Sequence, residues 1–227
     1  TCTISTFATQ RGAHNIAIKG VRENDESTEH QDEHILIPVS NEESVRELVT
    51  LGNVLKSKKN HNGFYALHAI DNKVEDSGLE KRARKILETA PAASDIYLHE
   101  LLRYDVNISN AIASVAKEQS ITDIVMGLHR DKSPAIFLGK ITGDLLGESN
   151  VTTYIYKPVQ PLATIKRHIV IIPSQAEKEA GFLMWLHKIG NLARNTGTKI
   201  VVYAPLGIFC SGILWLSGIG LYAEYDE

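Results

Sequence analysis

Two glycines bracket the stretch GLHRDKSPAIFLGK, residues 127 to 140, which carries His129, Arg130 and Lys132 before it closes on Lys140. A glycine lets a backbone approach a ligand closely and adopt turns other residues resist. Amide groups at a helix start, with the helix dipole behind them, favour a phosphate. Gly127 and Gly139 therefore suit a phosphate-holding turn, while Arg130 and Lys140 add side-chain charge that could hold an anion directly. The competing reading is structural: one glycine ends a strand, the other eases helix packing, and the cations are solvated.

Other reactive side chains offer less. HQDEH, residues 30–34, fits the H-x-x-E-H spacing of a zinc protease, but that chemistry needs a helix to bring both histidines to one face. These residues instead lie in an acidic run entering a strand, so no metal is expected. His68 and His99 fall within strand-like runs and read as half-buried, satisfied histidines. Asp123 reads as a turn acceptor. Cys2 and Cys210 stand at opposite ends of the chain with no metal or redox spacing, which fits a reducing compartment. There is no G-x-S-x-G and no supported Cys–His pair, so the chain is expected to bind rather than catalyse.

The elements that must position the glycine turn are legible from composition and periodicity. With 43% hydrophobic and 22% charged residues in 227, the chain can build a real core. A net charge of −3 gives no reason to expect a nucleic-acid partner. The chain opens without a start Met or a signal pattern, which predicts a processed product or a fragment. Residues 22–33 carry six acidic residues, one Arg and no apolar side chain, and read as a solvated linker.

From there strands and helices alternate. HILIPV (34–39), GFYALHAI (63–70), DIYLHELLRY (95–104), ITDIVMG (121–127) and VTTYIYK (151–157) read as strands. Between them run four helical stripes: Val45, Leu48, Val49 and Leu55 after a Ser40 or Asn41 cap; GLEKRARKILETAPAA, ending near Pro91; Ile112, Val115 and Ala116; and Ile136, Phe137, Ile141 and Leu145. Such alternation predicts an α/β domain at 34–157: an open five-stranded parallel sheet with helices on both faces. PVQPLATIK then reads as a linker, 158–166. RHIVIIPS repeats the opening strand, and a helix with the stripe Phe182, Leu186, Ile189 and Ala193 leads to GTKIVVYAP. The span 167–227 is thus expected to be a partial second copy. Its apolar tail, 206–223, is read as packed on that half-domain, as a membrane-contacting segment, or as a non-native end.

HILIPVS, YALHAID, the G-x-H after the fourth strand and SNVTTYIYK occur in the order that resembles the universal stress protein family, and 167 onward resembles the start of a second such domain. The resemblance implies an adenine-nucleotide site built on G-x-x-G, nine residues, then glycine and a hydroxyl residue. Gly127 and His129 match that pattern. Arg130 stands where the second glycine belongs, eight residues precede Gly139, and Lys140 replaces the hydroxyl. Ser40 takes the place of the acidic residue after strand one, and Ala69 lies where such proteins approach adenine. The resemblance thus implies ATP or another adenine nucleotide as the ligand class, with the anion held through Arg130 and Lys140 or the ligand lost. It further implies homodimers paired through the last strand.

The opening segment followed by an acidic linker is similar to the junction between the membrane domain and the cytosolic region of some bacterial sodium or potassium/proton antiporters. On that resemblance the chain is a non-enzymatic regulatory region on the cytoplasmic face of the inner membrane, with the membrane antiporter domain as its partner in the same parent chain. The alternative is a free-standing cytoplasmic tandem binding module.

Overall fold

The computed structural model describes residues 33–57, 63–73, 78–90, 97–128, 139–179, 181–205 and 221–223. The chain divides into two compact units between Ile165 and Lys166.

The larger unit begins with β1, Ile35–Pro38, whose Ile35, Leu36 and Ile37 are all buried. A strand apolar on both faces belongs in the middle of a parallel sheet, and β1 does sit there. Helix α1, Glu42–Leu55, follows at once. Asn41 caps it by accepting a hydrogen bond from the Ser44 amide at 2.8 Å, and Glu42 and Glu43 complement its dipole. Its expected stripe of Val45, Leu48, Val49 and Leu55 is buried.

The unit continues through β2 (Phe64–Asp71), α2 (Leu79–Thr89), β3 (Leu98–Asp105), α3 (Ile108–Glu118), β4 (Asp123–Gly127), α4 (Lys140–Glu148) and β5 (Thr152–Tyr156). All strand pairs are parallel, in the order β3-β2-β1-β4-β5. The expected five-stranded α/β sheet is therefore present, with its strand order reversing between β1 and β4.

Helices cover both faces. On one, Gly52 of α1 lies over Phe64, Ile37 and Ile35. On the other, Ile112, Val115 and Ala116 of α3 and Leu145 of α4 close over Leu36, Leu67, Ile124 and Met126, with Ile141 packed alongside. Ile136 and Phe137, also expected in the fourth helix, lie outside the described residues. The third strand begins at Leu98, later than its sequence suggests, with the exposed Tyr97 just before it. The expected linker after β5 contains one 3-10 turn, Leu162–Thr164, anchored by the buried Leu162.

The second unit holds β6 (Arg167–Ile171), α5 (Phe182–Thr196), β7 (Lys199–Tyr203) and β8 (Leu221–Ala223), the strands parallel in the order β6-β7-β8. Val170, Ile172, Ile200 and Val202 pack beneath Phe182, Leu186 and Ala193, with Ile189 at the margin. The helix starts later than the sequence pattern implies, because Ala176–Lys178 forms a separate 3-10 turn. It ends on Gly197 in the left-handed region, φ 67°, whose amide bonds back to the Ala193 carbonyl at 2.8 Å.

The sequence repeat needs one adjustment. Matching HIVIIPS to HILIPVS histidine on histidine sets Ile171 against Ile37, yet those two face opposite sides of their sheets. Aligning Pro173 with Pro38 restores the faces: Val170 and Ile172 take the places of Ile35 and Ile37 beneath the first helix, and Ile171 takes that of Leu36. A slip of one residue moves every side chain of a strand to the other face. The tail resolves in part: Leu221–Ala223 is a strand, and 206–220 lie outside the described residues. No helix among the described residues is long and apolar enough to cross a membrane.

Candidate functional site

In an open parallel sheet the ligand crevice lies beyond the carboxyl ends of the strands where the strand order reverses. Here that point is between β1 and β4. The register pairs Pro38 with Leu67, Leu36 with Ile124, and Gly127 with Tyr156. Counting on from it sets His68, Val39, Gly127 and Tyr156 in one row across four strands, with Ala69 and Ser40 one step further out.

Gly127 and Gly139 differ in kind. Among the described residues a Cβ on Gly127 would meet only the Leu48 methyls at 3.8 and 3.9 Å, an ordinary contact, so their packing does not demand glycine there. Gly139 is buried and adopts φ 74°, ψ 158°, a conformation essentially reserved for glycine. It is also the residue that starts α4.

That helix start has an open electrostatic character. Gly139 offers no side-chain cap, the first turn contains no acidic residue, and its first residue is the exposed Lys140. A cation there opposes the helix dipole, at a cost of about 0.3–1 kcal/mol. By contrast α1 and α3 are closed by asparagine caps, Asn41 and Asn107, whose side chains accept from Ser44 and Ser109 amides. The amino end of α4 thus has neither a side-chain cap nor an acidic residue in its first turn, as is also true of α5, but only α4 begins directly after the switch-point strand β4.

The remaining predicted residues divide. Ser40 is exposed, and its hydroxyl accepts from the Asn41 side chain at 3.4 Å. Ala69 is half-buried near the end of β2, on the face that carries Tyr65 and Leu67. The sheet register brings together the ends of β1, β2 and β4, while His129 and Arg130 lie outside the described residues.

His68 is half-buried as its strand position implies, but its Nδ1 is buried without a hydrogen-bond partner. Burial holds the imidazole below the usual histidine range, and the Val39 backbone offsets part of that effect. Glu47 and Tyr156 belong to no motif in the residue order. Burial, then the Glu47 carboxylate, pushes the Tyr156 phenol up, and Glu47 Oε2 is itself buried without a partner. Only the tertiary placement of α1 over the sheet reveals that influence.

The opposite end of the sheet is structural. His34 Nδ1 bonds to the Gln119 carbonyl at 2.8 Å, and its ring meets Tyr65 edge-on. His99 stacks on Tyr65 with ring centroids 4.9 Å apart. Asp123 is buried and accepts from the Thr122 hydroxyl at 2.7 Å. The Tyr154 hydroxyl has no partner at hydrogen-bond geometry, yet it lies close enough for burial and the Asp123 charge to raise it above the ordinary tyrosine range. Among the described residues no group of three or more His, Cys, Asp or Glu could hold a metal ion.

Fold and crevice together define an α/β protein with one complete open parallel sheet and, in its second unit, a smaller three-stranded parallel sheet. No family model matches the chain, and no curated protein matches it in sequence. Among solved structures, a universal stress protein from Archaeoglobus fulgidus DSM 4304 is 16% identical, with a TM-score of 0.58 over 86% of this chain and 76% of that one. The cytoplasmic domain of a prokaryotic cation chloride cotransporter is 11% identical, with a TM-score of 0.57 over 87% of this chain and 80% of the other. At such identities the likeness is one of fold.

Proposed function

We propose that this chain is a non-enzymatic regulatory domain of a cation/proton antiporter that binds an anionic ligand, an adenine nucleotide first among candidates, in the crevice between β1 and β4. The observation that carries the reading is the amino end of α4, with its glycine start, no acidic residue in the first turn and Lys140. It begins after β4, at the switch point where an open sheet takes its ligand. Ser40 and Ala69 flank the same crevice. That a cation transporter's cytoplasmic domain shares the fold supports the transporter setting. The ligand acts on transport only if it binds two conformations of the assembly with different affinity.

Calorimetric titration of the chain with ATP, AMP and inorganic phosphate tests the binding. Micromolar affinity for ATP that falls at least about tenfold in Lys140→Ala is expected, since a charge-assisted bond contributes about 1.5–3 kcal/mol. Affinity that survives the Arg130→Ala, Lys140→Ala double change defeats the side-chain cradle, and no affinity for any nucleotide defeats the ligand class. Steady ATP turnover would overturn the non-enzymatic reading. A coding sequence that carries membrane spans upstream of Thr1 supports the antiporter, whereas an initiator Met there favours the free-standing module.

Two copies pair through β5 in this reading. It is an edge strand whose five residues are all half-buried rather than charged and exposed. A monomer by light scattering at high concentration would sink it.

A further inference from the structure

His68 stands beside the crevice without reaching into it. It lies on β2 at the level of Val39, in the row that runs on to Gly127 and Tyr156. At the spacing of neighbouring strands it is about 5 Å from Val39 and about 10 Å from Gly127. Alternation puts its side chain on the face of Phe64, which α1 covers, and its Nδ1 is buried with no hydrogen-bond partner among the described residues. Few charges compete for that ring. The residues that α1 and α2 bury are all apolar or glycine, and β1 is apolar throughout. Opposite His68 on β3 is Leu102, with Glu100 and Tyr104 next on the same face. On α2, Glu80 and Arg84 bond to each other at 2.7 Å, and Lys85 reaches Glu42 of α1 at 2.9 Å. Lys81, Arg82 and Glu88 are exposed, as are Glu43 and Arg46 of α1, while Glu47 acts on Tyr156. None of these charges bears on His68, which burial lowers and the Val39 backbone partly restores.

We propose that His68 is an acid-activated counter-charge for the anion in the crevice, so that the chain binds that anion more tightly as pH falls. The inference rests on the reading above, in which an anion binds between β1 and β4. Without ligand the ring is held neutral, because its charged form has no partner to offset burial. An anion seated over Val39 and Gly127 supplies that partner. At about 5–10 Å and an effective dielectric constant of about 20, one negative charge raises the midpoint of the imidazole by about one pH unit. Binding then takes up a proton. The gain in affinity is full below the midpoint of the free protein and is lost as pH rises through that of the complex. His68 acts here through its field and not by contact, since Nδ1 is buried.

Calorimetric titration of the full chain with cyclic AMP and with sulfate at pH 7.5 and 5.5 tests the coupling, since neither probe changes charge in that range. Affinity is expected to rise about threefold to tenfold on acidification, as a one-unit shift allows, and to stay level in His68→Gln. His129→Gln, which removes the histidine of the glycine turn, should keep the rise. An NMR titration of the His68 ring in the unaltered chain gives the reciprocal measurement and needs no variant to fold. Sulfate, cyclic AMP or ATP should move its midpoint upward by about one unit. Binding that does not vary with pH overturns the proposal. So does a rise that persists in His68→Gln or vanishes in His129→Gln, or a midpoint that a bound probe leaves unmoved. No binding of ATP, cyclic AMP or sulfate at either pH overturns the anion reading itself, and the proposal with it.

Discussion

Leu36 and Ile171 hold the same place in the two units, each two residues before a proline on the first strand and facing away from the helix that follows. Yet Leu36 is 0% exposed and Ile171 is 74% exposed. Over Leu36 lie α3 and α4, with Ile112, Val115 and Leu145. Among the described residues Ile171 has no equivalent cover. The same position in one fold thus carries different energetic weight.

Leu36→Ala should therefore destabilise the larger unit by about 2–5 kcal/mol. Ile171→Ala should cost about 1 kcal/mol or less, the scale of a cross-strand pair. Urea denaturation of both variants measures the difference, and equal losses would mean that the second face is buried in solution.

The two glycines of the opening turn should separate under the same substitution. Gly139→Ala forces an L-residue into φ 74°, at a cost of about 1–3 kcal/mol. Gly127→Ala meets, among the described residues, only the Leu48 methyls and should leave the melting temperature unchanged. If Gly127→Ala nonetheless weakens nucleotide binding in a titration, the space above that residue belongs to the ligand.

Lys140 gives a test in which stability and binding move in opposite directions. Lys140→Glu places an acid in the first turn of α4 and should stabilise the helix by about 0.3–1 kcal/mol. The same change should abolish anion binding. A variant that is more stable yet still binds phosphate would place the anion elsewhere.

Acidification should weaken the fold before the carboxylates titrate. Burial depresses His68 and His168 below 6.5, and His168 Nε2 is buried without a partner. The unfolded chain takes up these protons near pH 6.5, while the folded chain resists them until a lower pH. Stability is thus fully present above pH 6.5 and is lost as pH falls below it. Thermal unfolding at pH 7.5 and 5.5 should show the drop, and it should shrink in the His68→Leu, His168→Leu double variant. An identical drop in that variant would assign it to other groups.

Much of this protein was written in its residue order. Ile35, Leu36 and Ile37 in succession require a strand buried on both faces, and Asn41 followed by the Val45, Leu48 and Val49 stripe requires a helix directly after it. Those signals are local, because a strand or helix repeats its pattern within a few residues. Four such alternations dictated a parallel sheet, with Gly127 at its carboxyl end and Gly139 at the start of the helix that follows. Long-range matters were decided by the tertiary structure. Whether HIVIIPS aligns on its histidine or its proline depends on which face α5 covers. The influence of the Glu47 charge on Tyr156 depends on how α1 lies over the sheet. That Gly139 needs its glycine and Gly127 does not follows from the backbone angle of one and the neighbours of the other. Burial and register are sums over residues far apart in the chain, so they exist only once the sheet has closed beneath its helices.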